Sequence, residues 1–372
     1  MDLDFNPEQA QVKDAARRFL SRECPPALVR RVREGASSHS EALWAGMAEQ
    51  GWLALPFEEA CGGLAADWVT LAVVIEELGR VCDPTPFIDC VVSCGGLIQD
   101  LGSDVQKQRW LTALTRGELL VSLAMLESPS ESGPERIETR LESAETGLRV
   151  SGRKLFVECA ADADLLLVPA REAGSGRLRL ALIAPRAAGV ELVRLRSLAH
   201  PHLYEVRLEG VAIDASQVLG EPVDATPQLE VAIRRTAALQ SAAACGGAQR
   251  VLEMTVAHAR ERHQFGKPIG SFQAVQHMLA DVWAEVETAR LAAYEAITEL
   301  ELAGRAVEEK VAIARCASSE CFVRTCLTAH QVFGGMGFMW ESDLHLWTRK
   351  AEEIEFAGGG TGYWRRRLAE LL

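Results

Sequence analysis

A chain of 372 residues, 48% hydrophobic and 24% charged, can bury a sizeable core and divide into two or three domains. Its formal net charge of −13 excludes a general nucleic-acid or anionic-membrane surface and confines any phosphate recognition to a local pocket. The acidic start Met1-Asp-Leu-Asp-Phe5 has no basic n-region or apolar h-region. With no apolar run long enough to span a bilayer, the expectation is a cytoplasmic protein.

Residues 1–120 read as helices. Asn6-Pro7-Glu8 is a helix start, followed by Ala10, Val12, Ala15, Phe19 and Leu20 near helical spacing. A second helix carries Leu43, Met47 and Leu53 towards a break at Pro56 and Gly62-Gly63. A third, from Asp67 to Gly79, is apolar almost all round, which implies burial on most sides.

From residue 121 the texture changes to short Val- and Leu-rich runs closed by turn residues, at 148–150, 154–157, 164–168, 178–183, 190–195 and 204–208. No helical crossover separates them, so residues 121–225 are expected to form a sandwich or barrel without parallel pairing. Helices return at 226–372, with Thr226 the expected N-cap and Pro227 the first helical residue. Ala, Ser, Cys and Gly crowd residues 236–259, which lets neighbouring helices approach closely. Val275, Leu279, Val282, Val286, Ala289, Ala293, Ala296 and Leu300 then alternate at spacings of four and three, the seam of a bundle. The fold class is therefore mainly α with a small all-β middle domain. Cys316, Cys321 and Cys326 turn about 140° from one to the next on a helix and share no face, so buried thiols are expected and no metal site.

Chemistry concentrates in Arg260-Glu-Arg262-His-Gln-Phe265-Gly266-Lys-Pro268-Ile-Gly270 and in Gln331-Val-Phe-Gly334-Gly335-Met-Gly337. The first needs a tight turn between two long helices and leaves a basic corner at a helix end. The second strips side chains away so that a backbone can approach a ligand. Together they point to a phosphate-bearing cofactor.

These two motifs resemble those of the acyl-CoA dehydrogenase family, and the resemblance extends along the whole chain. Gly51-Trp52-Leu53 with Gly62-Gly63, Glu76-Glu-Leu-Gly-Arg80, Ser151-Gly-Arg-Lys154 and the run from Gln273 to Asp281 also carry it. The resemblance implies an N-terminal helical domain (1–120), a β domain (121–225) and a C-terminal four-helix bundle (226–372). It implies FAD shared across a subunit interface, and α,β-dehydrogenation of an acyl-CoA that passes electrons to an acceptor flavoprotein. Carried over by position, Arg262, Phe265, Gln331, Gly334 and Gly335 would grip the nucleotide end of that FAD.

The departures fall elsewhere. Family members carry the catalytic glutamate in Tyr-Glu-Gly-Thr near the C-terminus; aligning Gly360-Thr361 places Gly359 there. A minority place it on the helix before the Phe-Gly pair, where this chain has Thr236. Both positions lack a carboxylate. The Thr-Glu-Pro segment that bonds the flavin reads Leu126-Glu127-Ser128, and the Trp-Ile-Thr segment reads Phe156-Val157-Glu158. Three readings follow: a non-catalytic subunit lending its bundle to an unlike family partner, for a steroid side-chain or other bulky acyl-CoA; a homomeric enzyme with a displaced base such as Glu355; or a flavin-free acyl-CoA-binding scaffold. Gly358 to Gly362 lacks the lysine of a P-loop, His200-Pro-His202 reads as a loop, and Arg365 to Arg367 as an exposed helix face.

Overall fold

Asn6 accepts the Gln9 backbone N–H at 2.8 Å while the Gln9 side chain accepts the Asn6 N–H at 3.1 Å, so the chain's first helix begins in a reciprocal capping box. The computed structural model describes residues 5–129, 133–145 and 147–371. Its helices are α1 (Pro7–Glu23), α2 (Pro26–Glu34), α3 (Glu41–Glu49), α4 (Trp68–Arg80), α5 (Gly96–Leu101), α6 (Asp104–Thr115), α7 (Thr226–Glu261), α8 (Gln273–Glu301), α9 (Val307–Phe333), α10 (Leu344–Phe356) and α11 (Gly360–Leu371). None is long and apolar enough to cross a membrane. By contacts the chain forms two units, one of residues 1–31, 68–83 and 237–372, the other of residues 32–67 and 84–236.

The first unit is helical. The buried face of α4 includes two acids, and each is neutralised by partners. Glu76 takes Lys13 at 2.9 Å, Arg290 at 3.2 Å and the Tyr294 hydroxyl at 2.6 Å; Glu77 takes Arg17 at 2.7 Å. Where α4 crosses α7 there is room for glycine only. A Cβ on Gly79 would lie 2.0 Å from the Ala243 carbonyl oxygen, and one on Gly246 would lie 1.9 Å from that of Glu76. The small-residue run therefore brings two backbones together, as its composition implies. Val282, Val286, Ala289, Ala293 and Ala296 of the expected seam are buried on α8. The short helix α2, hidden in the sequence behind Pro25-Pro26, contributes Arg30, which bonds Asp343 at 2.8 Å, the Trp340 carbonyl at 2.7 Å and the Ser342 carbonyl at 3.0 Å.

The second unit carries a curled seven-stranded sheet of β1 (Val121–Leu123), β2 (Arg140–Ser143), β3 (Leu148–Glu158), β4 (Leu165–Glu172), β5 (Leu178–Ile183), β6 (Val190–Arg194) and β7 (Leu203–Ile213). The order is β1-β4-β2-β3-β7-β6, with β5 on β4. Contrary to the sequence expectation, parallel pairing occurs: β4 pairs in parallel with β1 at Val121–Leu165 and with β2 at Arg140–Arg171. Among the described residues the connections between the parallel strands hold other strands and one 3-10 turn at Pro134–Arg136 but no α-helix, so no helical run announces the geometry. The runs at 148–150 and 154–157 are one strand, broken in register by bulges between Val150 and Gly152 and between Lys154 and Val157.

α7 starts at Thr226, one residue ahead of the expected first helical residue Pro227, and Asp224 Oδ1 accepts the Thr226 hydroxyl at 2.9 Å, the Thr226 N–H at 3.4 Å and the Leu178 N–H at 2.9 Å.

Candidate functional site

In the helical unit, α7 stops at Glu261, and the chain turns back through a short ladder of His263–Gln264 (β8) against Lys267–Pro268 (β9). Phe265 and Gly266 form its tip with φ of +54° and +80°, the two left-handed residues that a tight hairpin requires. Glycine takes this conformation freely; phenylalanine does so at a cost of about 1–3 kcal/mol. The ring that bears this strain is 92% exposed, touching Phe272 edge-on at 6.1 Å. The Ile269 N–H closes the turn on the Arg262 carbonyl at 2.8 Å. The Arg262 side chain is exposed and has no ion pair among the described residues. The helix end is closed instead by its backbone N–H, which donates to the His258 carbonyl at 2.8 Å.

At the end of α9, three glycines serve different purposes. Gly334 has φ +61° and ψ −141°, a conformation open to glycine. A Cβ on Gly334 or Gly335 would meet nothing within 4 Å among the described residues, so this backbone is bare to solvent. Gly337 is a packing position: its Cβ would sit 3.0 Å from Phe333 and 3.1 Å from His330. Gln331 is exposed beside them. The two motifs are joined by a contact that neither announces. His258, one turn before Arg262, stacks on Phe333, next to Gly334, with centroids 4.2 Å apart and planes 10° apart.

Gly359 and Thr236, the two positions that the resemblance assigns to the family's base, lie in different surroundings. Gly359 has φ +90°, between Gly358 at +59° and Gly360 at +68°. The loop is braced from both sides. The Arg315 guanidinium, wholly buried, donates to the carbonyls of Ile354 and Ala357 and to the Ser319 hydroxyl. Burial pulls its pKa down to about 10, against the charge of Glu355. Glu355 itself accepts the Thr361 hydroxyl at 2.5 Å, and its Oε2 has no partner among the described residues. Arg365 pairs with Glu320 and Arg367 with Glu308.

Thr236 belongs to the other unit, where its hydroxyl lies 2.8 Å from that of Ser93 on a π-helix, Ile88–Gly95. The same π-helix holds Asp89 with Oδ2 3.1 Å from the Leu123 N–H. Burial pushes this carboxyl up to about 7, against hydrogen bonds from Leu123 and Ser122 that favour its anion.

Beyond β1, Leu126 uses its carbonyl to accept the Leu155 N–H at 2.7 Å, and the neighbouring Glu127 is tied down heavily. Its carboxylate takes Lys154 at 2.6 Å, the Thr139 hydroxyl at 2.6 Å and the Glu138 N–H at 2.7 Å. Burial alone would raise its pKa; Lys154 and these donors reverse that and hold it below the ordinary range. Phe156 stands 41% exposed at the β3 bulge with φ +56°, and Glu158 lies 3.7 Å from His200.

Comparison with known proteins gives the family of this fold. Residues 6–118 match the profile of the acyl-CoA dehydrogenase N-terminal domain, and residues 228–372 that of the acyl-CoA dehydrogenase C-terminal domain. Acyl-CoA dehydrogenase FadE27 of Mycobacterium tuberculosis is 30% identical over 94% of this chain and 92% of its own length. The chain belongs to the acyl-CoA dehydrogenase family. Among solved acyl-CoA dehydrogenase relatives, the ChsE4-ChsE5 complex from Mycobacterium tuberculosis aligns with a TM-score of 0.90 and 26% identity, over 100% of this chain and 98% of that one. A variant of the Tcur3481-Tcur3483 steroid ACAD aligns at 0.86 and 26%, covering 98% and 97%.

Within this acyl-CoA dehydrogenase fold, sequence reasoning overlooked three groups. Lys154 was visible only as part of a turn, because nothing local marks Glu127 as its partner. Asp89 sits in an apolar run whose periodicity gives no sign of a π-helix. His258 lies outside both motifs, and only the stack on Phe333 connects it with them.

Proposed function

We propose that this chain is the carboxylate-free subunit of a heteromeric acyl-CoA dehydrogenase, and that it grips the nucleotide end of an FAD whose ring is held by an unlike family subunit. The observation that carries this reading is the pairing of a bare, glycine-lined grip with two base positions that hold Gly359 and Thr236. When bound, FAD would supply the acceptor for the hydride leaving the acyl β carbon. This chain's share is binding. The Arg262 guanidinium offers a forked donor to phosphate oxygens, the bare backbone at Gly334 and Gly335 allows close approach, and Gln331 adds amide donors. Phe265, held outward by a strained backbone, offers an apolar face to the neighbouring subunit or to the adenine.

The residues present fit the diphosphate half of FAD better than its ring. Leu126 replaces a hydroxyl, and Glu158 adds an anion where charge accumulates on reduction. A missing general base typically costs about two to four powers of ten in rate, so the α proton must be taken by the partner. A steroid side-chain or other bulky acyl-CoA is the substrate this reading favours, supported by the relatives that are complexes or act on steroids; electrons would leave to an acceptor flavoprotein. The unpartnered Oε2 of Glu355 favours the second reading, a homomer with a displaced base.

Expression alone and with a neighbouring family member separates them. The expected result is a colourless, inactive chain that becomes yellow and active only with its partner, and loses flavin when Arg262 is changed to Ala. A yellow, active chain alone whose rate collapses in E355Q would establish the second reading instead.

A further inference from the structure

His258 has features of a ligand-binding residue. Its ring face is covered by Phe333 at 4.2 Å, yet neither ring nitrogen has a hydrogen-bond partner among the described residues, and the residue is only half-buried. It lies one helical turn before Arg262, while its stacking partner directly precedes Gly334. The imidazole thus occupies the seam between the two halves of the grip, with its edge free to donate. We propose that His258 is a further phosphate-binding residue of this chain, which takes up a proton when a nucleotide diphosphate binds and so makes the grip tighter in mild acid. The inference rests on the reading of Arg262 and Gly334 as a diphosphate site and adds its pH regulation.

The direction follows from the surrounding charges. In the free chain burial holds the imidazole below its usual value, Arg262 lowers it further, and Glu261 opposes both. From α9 the contact is the uncharged Phe333; His330, one turn back, is engaged by Thr348 at 2.8 Å and stacked on Phe338. A bound diphosphate brings two negative charges, which offset Arg262 and raise the imidazole pKa. Binding therefore takes up a proton between the free and bound pKa values, and affinity rises as pH falls through that window.

The test is calorimetric titration of the flavin-stripped heteromer, formed by co-expressing the full chain with its partner, with ADP-ribose, a diphosphate diester whose charge is constant over the range, at about pH 5.5 and about pH 8, with adenosine as control. A rise of about one pKa unit on binding corresponds to affinity about tenfold higher at the lower pH. H258Q should flatten this slope and R262A should weaken binding at both values; H258F, which keeps a ring on Phe333, replaces H258Q should that variant fail to fold. A flat wild-type response, or an unchanged slope in H258Q, with binding still dependent on Arg262, overturns the role of His258 and leaves the grip standing. No binding at either pH, or binding indifferent to R262A, removes the grip and this inference with it.

Discussion

Replacing Lys154 by Met tests what anchors the segment after β1. The ammonium is fully buried, 2.6 Å from Glu127 and 2.7 Å from the Pro169 carbonyl, with its pKa pulled to about 8 by burial against the pull of Glu127. Methionine fills most of the same volume. It leaves a carboxylate whose side chain is 13% exposed without its counter-charge, and a carbonyl without its donor. Breaking a buried pair from one side costs about 3–5 kcal/mol. For a unit of this size each kcal/mol moves the midpoint by about 2–4 °C, so K154M should melt about 6–20 °C lower near pH 7. The double variant K154M/E127Q removes both charges and should recover most of the loss. The sign with pH is also fixed. Without Lys154, burial dominates and the Glu127 pKa rises, so the carboxyl protonates in mild acid and the deficit of K154M shrinks as pH falls from about 7 to about 5. Calorimetric melting across that range reads both effects. A K154M midpoint within about 1 °C of wild type, or a double variant no better than the single, refutes the reasoning.

E76Q, which leaves Lys13 and Arg290 facing a neutral amide, should cost about 3–5 kcal/mol. Burial would raise the Glu76 pKa but Lys13, Arg290 and Tyr294 outweigh it and leave it lowered; wild type should therefore lose this contribution as pH drops below the ordinary glutamate value, and denaturant titration of E76Q should lack that component. G246A should lose about 1–3 kcal/mol or more, because its Cβ meets a backbone oxygen that no rotamer can move; a midpoint equal to wild type would show that α4 and α7 can separate at little cost. Asp89, raised from 3.8 to about 7, binds its proton more tightly folded than unfolded, so stability should decline as pH climbs between those values. D89N should abolish that slope in urea titrations. G359E puts a carboxylate at the position that the resemblance assigns to the family's base, on a backbone at φ +90° that costs about 1–3 kcal/mol. With Leu126 and Glu158 unchanged, the isolated variant should still show no acyl-CoA oxidation in a dye-reduction assay, and ready turnover would contradict the division of labour proposed.

What could be read from the sequence was whatever repeats or is local. The apolar face of α4, the seam of α8 and the crowding of small residues on α7 each impose a period or a composition, and each corresponds to a buried surface. β1 and β2 are three and four residues long, too short for alternation to register, and their parallel pairing with β4 depends on residues far away in the chain. The same limit applies to the site. Arg262 and the glycines after Phe333 are visible as motifs because each is contiguous. The His258 stack, the Glu127–Lys154 pair and the Arg30 clasp join residues that no window contains together. At the hairpin tip the text announces Gly266 but not the left-handed state of the residue before it, since phenylalanine gives no warning of φ +54°.

That tip also bears on how the polypeptide fares in a cell. Asparagine or glycine at position 265 would relax the backbone and spare water an aromatic surface, so pressure for solitary solubility runs against the residue found there. An unassembled copy would present this ring to chaperones, proteases and its own kind. If the partner of the proposed heteromer covers the ring, the abundance of this chain would track that of the partner, through matched synthesis or through rapid clearance of the surplus.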